Sequence, residues 1–111
     1  MKKRIVPDSI DPVIHERARL AIVSALAVSP EMSFGELKDS LELSDGNLSA
    51  HARTLETAGY IKISKTFRGR RPLTTMRLTG KGRKAFKAYL DTLRQVIDHS
   101  RADDGDDEQN D

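Results

Sequence analysis

The stretch LSDGNLSAHARTLETAGYI, residues 43–61, has the pattern of an amphipathic helix that ends in a turn and a strand. Ser44 stands where a side-chain oxygen caps the first free amides of a helix, and Gly59 stands where a left-handed residue closes it. Between them Leu48, Ala52 and Leu55 recur at the spacing of one helical face. The stretch therefore predicts a helix over 44–58 with a narrow buried stripe and small polar side chains facing outward.

Two shorter helices are predicted before it. Asp11-Pro12 is a helix-start dipeptide, and the apolar spacing that follows runs to Val28, where Ser29-Pro30 ends the helix. The run Ser33-Phe34-Gly35-Glu36 matches a capping box. It predicts a second helix that carries Phe34, Leu37 and Leu41 on its core face.

After Gly59 the period changes from that of a helix to that of strands. Residues 60–65 and 73–78 predict an antiparallel hairpin around a turn at 67–72, FRGRRP. Residues 79–82 are predicted to begin a last helix, which ends near residue 100. Its apolar residues lie at the spacing of a helix–helix seam and are expected to form a dimer contact: Phe86, Tyr89, Leu90, Leu93, Val96 and Ile97.

Charge is distributed unevenly along the 111 residues, whose formal net charge is +2. Residues 53–87 contain eleven Lys and Arg and only one acidic residue, Glu56, which is a field that attracts polyanions. Residues 102–111 contain six acidic residues and no basic one. The predicted organisation is a basic N-terminal arm (1–10), a DNA-binding domain (11–79), a dimerisation helix (80–101) and a disordered acidic tail (102–111).

Several function classes lack the residues they need. The chain has no Cys, so disulfides and thiolate chemistry are excluded, and its three His residues are not at metal-ligand spacing. There is no nucleophile motif, no phosphate-binding glycine loop and no long apolar run. We expect no enzyme activity, no metal, no cofactor and no membrane span, and a cytoplasmic, nucleoid-associated protein.

Three helices followed by a basic hairpin form the layout of a winged helix-turn-helix, an α+β fold. The third helix fits the major groove of B-DNA, and the hairpin tip with Arg68, Arg70 and Arg71 reaches phosphates or the adjacent minor groove. Gly69 lets the tip turn.

The quoted helix and the run FRGRRPLTTMRLTGKGRKAF, residues 67–86, resemble the recognition helix and wing of MarR/ArsR-type winged-helix transcriptional regulators. The resemblance covers about residues 11–90. It implies a homodimer that binds an inverted-repeat operator in double-stranded DNA and represses transcription. The residues expected to contact DNA are Ser44, Asp45, Gly46, Asn47, Ser49, Ala50, Arg53, Lys65, Arg68, Gly69, Arg70 and Arg71.

Two other interpretations remain open at the level of sequence. Some winged helices dock proteins and never touch DNA, although such a module does not need eleven bases in 35 residues. A non-specific DNA or RNA binder would keep the charge and show no preference for a palindromic duplex. The sequence does not indicate whether a small-molecule effector is sensed.

Overall fold

The computed structural model describes the backbone of residues 10–109 and the side chains of residues 10–101. The predicted basic arm (1–10) lies outside the described residues except for residue 10. The chain forms four helices and three strands. In order these are α1 (Arg17–Val28), β1 (Glu31–Ser33), α2 (Phe34–Leu41), α3 (Asp45–Thr57), β2 (Ile61–Arg68), β3 (Arg71–Leu78) and α4 (Gly80–Gln109). This is the predicted winged-helix fold with a long C-terminal helix.

Helix α1 begins five residues later than the sequence predicts. The Oδ1 atom of Asp11 accepts from the amides of Val13 (2.8 Å) and Ile14 (3.4 Å), as a cap does, but the capped segment is a turn. The helix itself is capped by Glu16, whose Oε1 accepts from the Arg19 amide at 2.9 Å. That hydrogen bond is the main reason why the pKa of Glu16 is lowered.

The caps predicted for α2 and α3 are present. Ser33 Oγ accepts from the Glu36 amide (3.1 Å) and Glu36 Oε1 accepts from the Ser33 amide (2.8 Å), which completes the capping box and lowers the pKa of Glu36. Ser44 Oγ accepts from the Asn47 amide at 3.1 Å. Gly59 closes the end of α3 at φ 84°, a left-handed conformation that glycine adopts without strain.

The sheet contains one strand that the sequence analysis did not predict. Its order is β1-β3-β2, all antiparallel, with Glu31 opposite Arg77 and Ile61 opposite Leu78. The hairpin strands are longer than predicted and extend to Arg68 and Arg71, which face each other across a two-residue turn. Strand β1 has only three residues, too few to show an alternating pattern.

The core lies between the first three helices and one face of the sheet. The stripe predicted on α3 is buried as expected, with Leu48, Ala52 and Leu55 at most 1% exposed. Around it pack buried side chains from α1, α2 and the sheet: Ile22, Val23, Leu26, Leu37, Ile61, Met76 and Leu78. Burial of this stripe fixes α3 against the core and leaves the opposite face of the helix exposed.

Helix α4 continues through residues 102–109, where the sequence predicted an unstructured tail. The difference has a simple physical basis, because once a helix is nucleated each further residue adds a hydrogen bond, and no proline interrupts this one. In the part of the chain that the structure describes, no helix is both long and apolar enough to cross a bilayer.

Candidate nucleic-acid interface

Helix α3 presents a polar face on the side opposite its buried stripe. Every position of α3 and its cap that the sequence assigned to DNA contact is exposed: Ser44, Asp45, Gly46, Asn47, Ser49, Ala50 and Arg53. The first of these carry short side chains, and a Cβ added to Gly46 would meet no atom within 4 Å. A face this shallow lets another surface approach the helix backbone closely.

The acidic residue at the start of α3 is paired. Lys38 Nζ on α2 lies 2.9 Å from Asp45 Oδ1, and this contact raises the pKa of Lys38. Both side chains are open to water, so the pair adds little to stability. Its effect is electrostatic, because the ammonium group offsets the carboxylate at the start of α3, which would otherwise repel a polyanion. The sequence analysis missed Lys38, which has no local pattern that links it to Asp45.

A groove of about 560 Å³ joins α3 to the sheet. From α3 it is lined by Ser49, Arg53 and Glu56, and from the hairpin by Ile63, Lys65, Thr74 and Met76. Arg53 and Lys65, predicted from separate elements, therefore belong to one concave surface. The base of the hairpin and the exposed face of α3 point to the same side of the molecule.

The hairpin tip holds the three predicted arginines in the open. Gly69 has φ 65°, which allows the turn, and a Cβ added there would meet nothing within 4 Å. Arg68, Arg70 and Arg71 are exposed, as is the whole segment 67–72, which we call the wing tip. No carboxylate lies in this segment. The Glu36 carboxylate of α2 is close enough to Arg68 for that guanidinium to contribute, after the hydrogen bonds from Ser33, to the lowered pKa of Glu36.

A polar network ties α3 to the start of α1. Arg19 Nη1 donates to His51 Nδ1 of α3 at 3.1 Å, and Arg19 Nε donates to the Val13 carbonyl at 2.6 Å. Glu16 Oε1 lies 3.6 Å from the same His51 nitrogen. Because a guanidinium only donates, Nδ1 acts as an acceptor and the proton of the neutral ring is assigned to Nε2. His51 thus packs within the chain, and Arg19 is a second residue that the sequence did not single out.

The end of α3 and the start of α4 meet at a compact contact that we call the Thr79 joint. The Thr79 amide donates to the Tyr60 carbonyl (3.0 Å), its Oγ1 donates to the Gly59 carbonyl (2.6 Å), and the Gly82 amide donates back to that Oγ1 (2.9 Å). A Cβ on Gly82 would lie 2.0 Å from the Tyr60 carbonyl oxygen. The two backbones therefore approach as closely as only glycine permits.

The six apolar residues predicted for a dimer seam do not share one environment. Tyr89 is 2% exposed and its hydroxyl pairs with His15 Nδ1 at 2.9 Å, so this side chain is covered by its own chain. Phe86 packs against the core. Leu93 and Val96 are half-buried, while Leu90 and Ile97 are 46% and 53% exposed. The error for Tyr89 arose because the turn before α1 covers that face of α4, which periodicity does not reveal.

No grouping of three or more His, Asp or Glu side chains suited to a metal ion occurs among the described residues. The polar and basic surfaces described above are the α3 face, the groove and the wing tip.

Comparison with known proteins agrees with this geometry. The model of a winged helix DNA-binding domain family matches residues 18–97. An uncharacterised protein of Methanocaldococcus jannaschii is 33% identical over 84 residues, which are 76% of this chain and 91% of that protein. The structure of a transcriptional regulator homologue from Pyrococcus horikoshii OT3 is 32% identical, with a TM-score of 0.75 over 78% of this chain and 86% of that one.

A candidate MarR-family transcriptional regulator from Enterococcus faecalis V583 is similar in fold, with a TM-score of 0.71 and 17% identity over 82% of each chain. The family match spans the body of the domain from α1 into α4, and what defines that family is DNA binding and not catalysis. The chain therefore belongs to the winged helix DNA-binding domain family, in the fold that MarR-type transcriptional regulators share, and it is not an enzyme.

Proposed function

We propose that this protein is a homodimeric transcriptional repressor that binds an inverted-repeat operator in double-stranded DNA. Helix α3 reads the major groove, and the wing tip lies on the flanking backbone or minor groove. The observation that carries the proposal is the groove shared by α3 and the hairpin, which puts Arg53 and Lys65 on one surface. A protein of this kind acts in the cytoplasm, at the nucleoid.

The chemistry of α3 suits base reading. Asn47 carries an amide that pairs with adenine through two hydrogen bonds, and Arg53 carries a fork that pairs in the same way with guanine. Ser49 and Ala50 are short enough to let the helix sit deep in the groove. Asp45, offset by Lys38, is an acceptor for a cytosine amino group.

The wing tip has a different role. Arg68, Arg70 and Arg71 carry permanent charge and fit phosphate oxygens, so they supply affinity that does not depend on sequence. Binding should therefore weaken steeply as salt is raised, because each neutralised phosphate releases counterions.

The homodimer rests on α4. Leu90 and Ile97 are exposed two helical turns apart, and Leu93 is half-buried between them. A second copy of the same helix would cover this stripe. Two-fold symmetry would then bring two α3 helices to half-sites one or more helical turns apart.

A selection from a random DNA library, scored by gel shift at about 150 mM salt, tests the proposal. We expect enrichment of a two-fold-symmetric site. Asn47→Ala and Arg53→Ala should change which bases are enriched, whereas Arg70→Ala should weaken binding to all sequences alike. Arg101→Ala, which removes the same charge from the distant part of α4, is the control and should change neither.

The other outcomes contradict the proposal in distinct ways. Binding without an enriched site would indicate a non-specific nucleic-acid binder. A folded protein that binds no DNA would indicate a protein-interaction module. An enriched site without two-fold symmetry would support sequence-specific DNA binding and contradict the homodimer.

A further inference from the structure

The wing tip carries an aromatic side chain that the charge of the hairpin does not explain. Phe67 is 68% exposed, and it faces the exposed Pro72 across the hairpin. A phenyl ring held in water forgoes the stabilisation that burial would supply. Isolated exposed apolar residues are common on proteins. Here, however, two of them are paired in register at the outermost part of the fold.

The pair lies on the face of the hairpin that continues the groove. Successive side chains of a strand point to opposite faces, so Ile63, Lys65 and Phe67 share one face of β2. Their partners on β3 are Met76, Thr74 and Pro72. The first two of these pairs line the groove beside α3, and the third extends the same surface outward to the tip.

Cations flank this apolar pair. Lys65 precedes Phe67 on the same face, whereas Arg68 and Arg71, the next pair along the hairpin, point to the opposite face, and Arg70 lies in the turn. An apolar protein partner would have to cover Lys65 and lie beside three guanidinium groups whose charge it could not offset. DNA offers both complements at once, since phosphates line the rims of the minor groove and stacked base edges and sugars form its floor.

We propose that Phe67, supported by Pro72, is an apolar wedge that enters the minor groove beside each half-site and partly unstacks one base step. This inference rests on the proposed function and adds a contact that selects sequence without hydrogen bonds. Unstacking is easiest at pyrimidine–purine steps such as TA and CA/TG. The wedge would therefore favour a pyrimidine–purine step in the DNA that flanks each half-site. No side chain needs to form a hydrogen bond to a base edge at that step.

The test compares Phe67→Ala with Phe67→Leu on the duplex enriched by the wild-type protein. Affinity comes from fluorescence anisotropy, and bending comes from energy transfer between dyes at the two duplex ends. Phe67→Ala should bind about tenfold more weakly and should lose most of the bend, whereas Phe67→Leu keeps an apolar wedge and should retain most of both. Replacing the flexible flanking step by a stiff A-tract step should weaken the wild type and leave Phe67→Ala unchanged.

Val28→Ala is the matched control, because Val28 is 84% exposed at the end of α1, remote from the hairpin in the chain. It should leave affinity and bending as in the wild type. Circular dichroism checks that each variant is folded, as expected for exposed side chains.

Four results would overturn the wedge. Unchanged affinity and bend in Phe67→Ala would mean that the ring does not enter DNA. A loss of affinity without a change in bend, or a loss that does not depend on the flanking step, would mean that it only touches the sugar surface. A shift of Phe67→Ala to monomer in sedimentation would assign the ring to a protein contact. In each case the symmetric site bound by the wild type would still support the proposed function, whose own failure is the absence of such a site.

Discussion

Tyr60 joins the turn after α3 to the turn before α1. Its hydroxyl donates to Asp11 Oδ2 at 2.5 Å. This hydrogen bond, followed by burial and by the charge of Asp11, raises the pKa of Tyr60 to about 12. The folded state therefore holds the phenol proton more tightly than the unfolded chain, in which the pKa is near its ordinary value of about 10.

The pH dependence of stability follows from that difference. A pKa raised on folding contributes stability that is complete below about pH 10 and is lost as the pH rises toward about 12. Phe at position 60 removes this contribution. We expect Tyr60→Phe to cost about 1 kcal/mol in the free energy of unfolding at pH 7, with the cost shrinking above pH 10.

Urea unfolding followed by circular dichroism, at several pH values from 7 to 11.5, measures the difference between the two proteins. Tyr89→Phe is the control, because it removes the other tyrosine hydroxyl and should leave the high-pH loss of stability in place. A constant difference between wild type and Tyr60→Phe over the whole range would contradict the assignment.

At the scale of elements, α3 could be predicted because its signals are local. Ser44, Gly59 and the stripe of Leu48, Ala52 and Leu55 all lie within one helix and its two ends, and the structure confirms each. The buried stripe also predicts which residues of α3 are exposed, because they lie on the opposite face of the helix. Their contact with DNA stays a prediction.

The elements that sequence did not predict depend on distant partners. Strand β1 exists through its pairing with β3, where Glu31 lies opposite Arg77. Asp11 looks like the cap of α1, yet its second oxygen binds Tyr60, forty-nine residues away, and the capped segment becomes a turn. The burial of Tyr89 against His15 is a third long-range contact of this kind.

The close contact at the Thr79 joint predicts a large effect of substituting Gly82. A methyl group on Gly82 would overlap the Tyr60 carbonyl, so the backbones must separate and the Thr79 hydrogen bonds must lengthen. We expect Gly82→Ala to lower the free energy of unfolding by about 1–3 kcal/mol, although Ala is the better helix former.

Gly80→Ala is the matched control, since it lies two residues away in the same helix and its added Cβ would meet nothing within 4 Å. Its free energy of unfolding in urea should equal or slightly exceed that of the wild type. Equal free energies of unfolding for Gly82→Ala and Gly80→Ala would contradict this prediction, because they would show that the two backbones can separate at little cost.

At the scale of the whole molecule, the proposed dimer depends on the exposed stripe of α4. Ile97→Asp places a carboxylate within the proposed seam, at its C-terminal end, where a second copy could not solvate it. We expect the wild type to sediment as a dimer at about 10 μM and the variant as a folded monomer, with affinity for a symmetric site reduced more than tenfold.

Gln95→Asp is the control, because it adds the same charge at an exposed position on another side of α4. It should remain dimeric and keep its affinity. A wild-type protein that sediments as a monomer on its own and on DNA would contradict the proposed dimer, while leaving the family and the fold unchanged.

The Thr79 joint has a mechanical consequence for such a dimer. It would act as the pivot between the helix proposed to read DNA and the helix proposed to join the two copies, and Ile97 of the proposed seam lies about 26 Å along α4 from Gly80, at about 1.5 Å per residue. A tilt of about 5° at the pivot would move that part of the seam by about 2 Å, more than half the rise of about 3.4 Å between base pairs. In the proposed dimer the spacing of the two half-sites would then depend on the angle between α3 and α4 at Gly59, Thr79 and Gly82, none of which is predicted to contact a base.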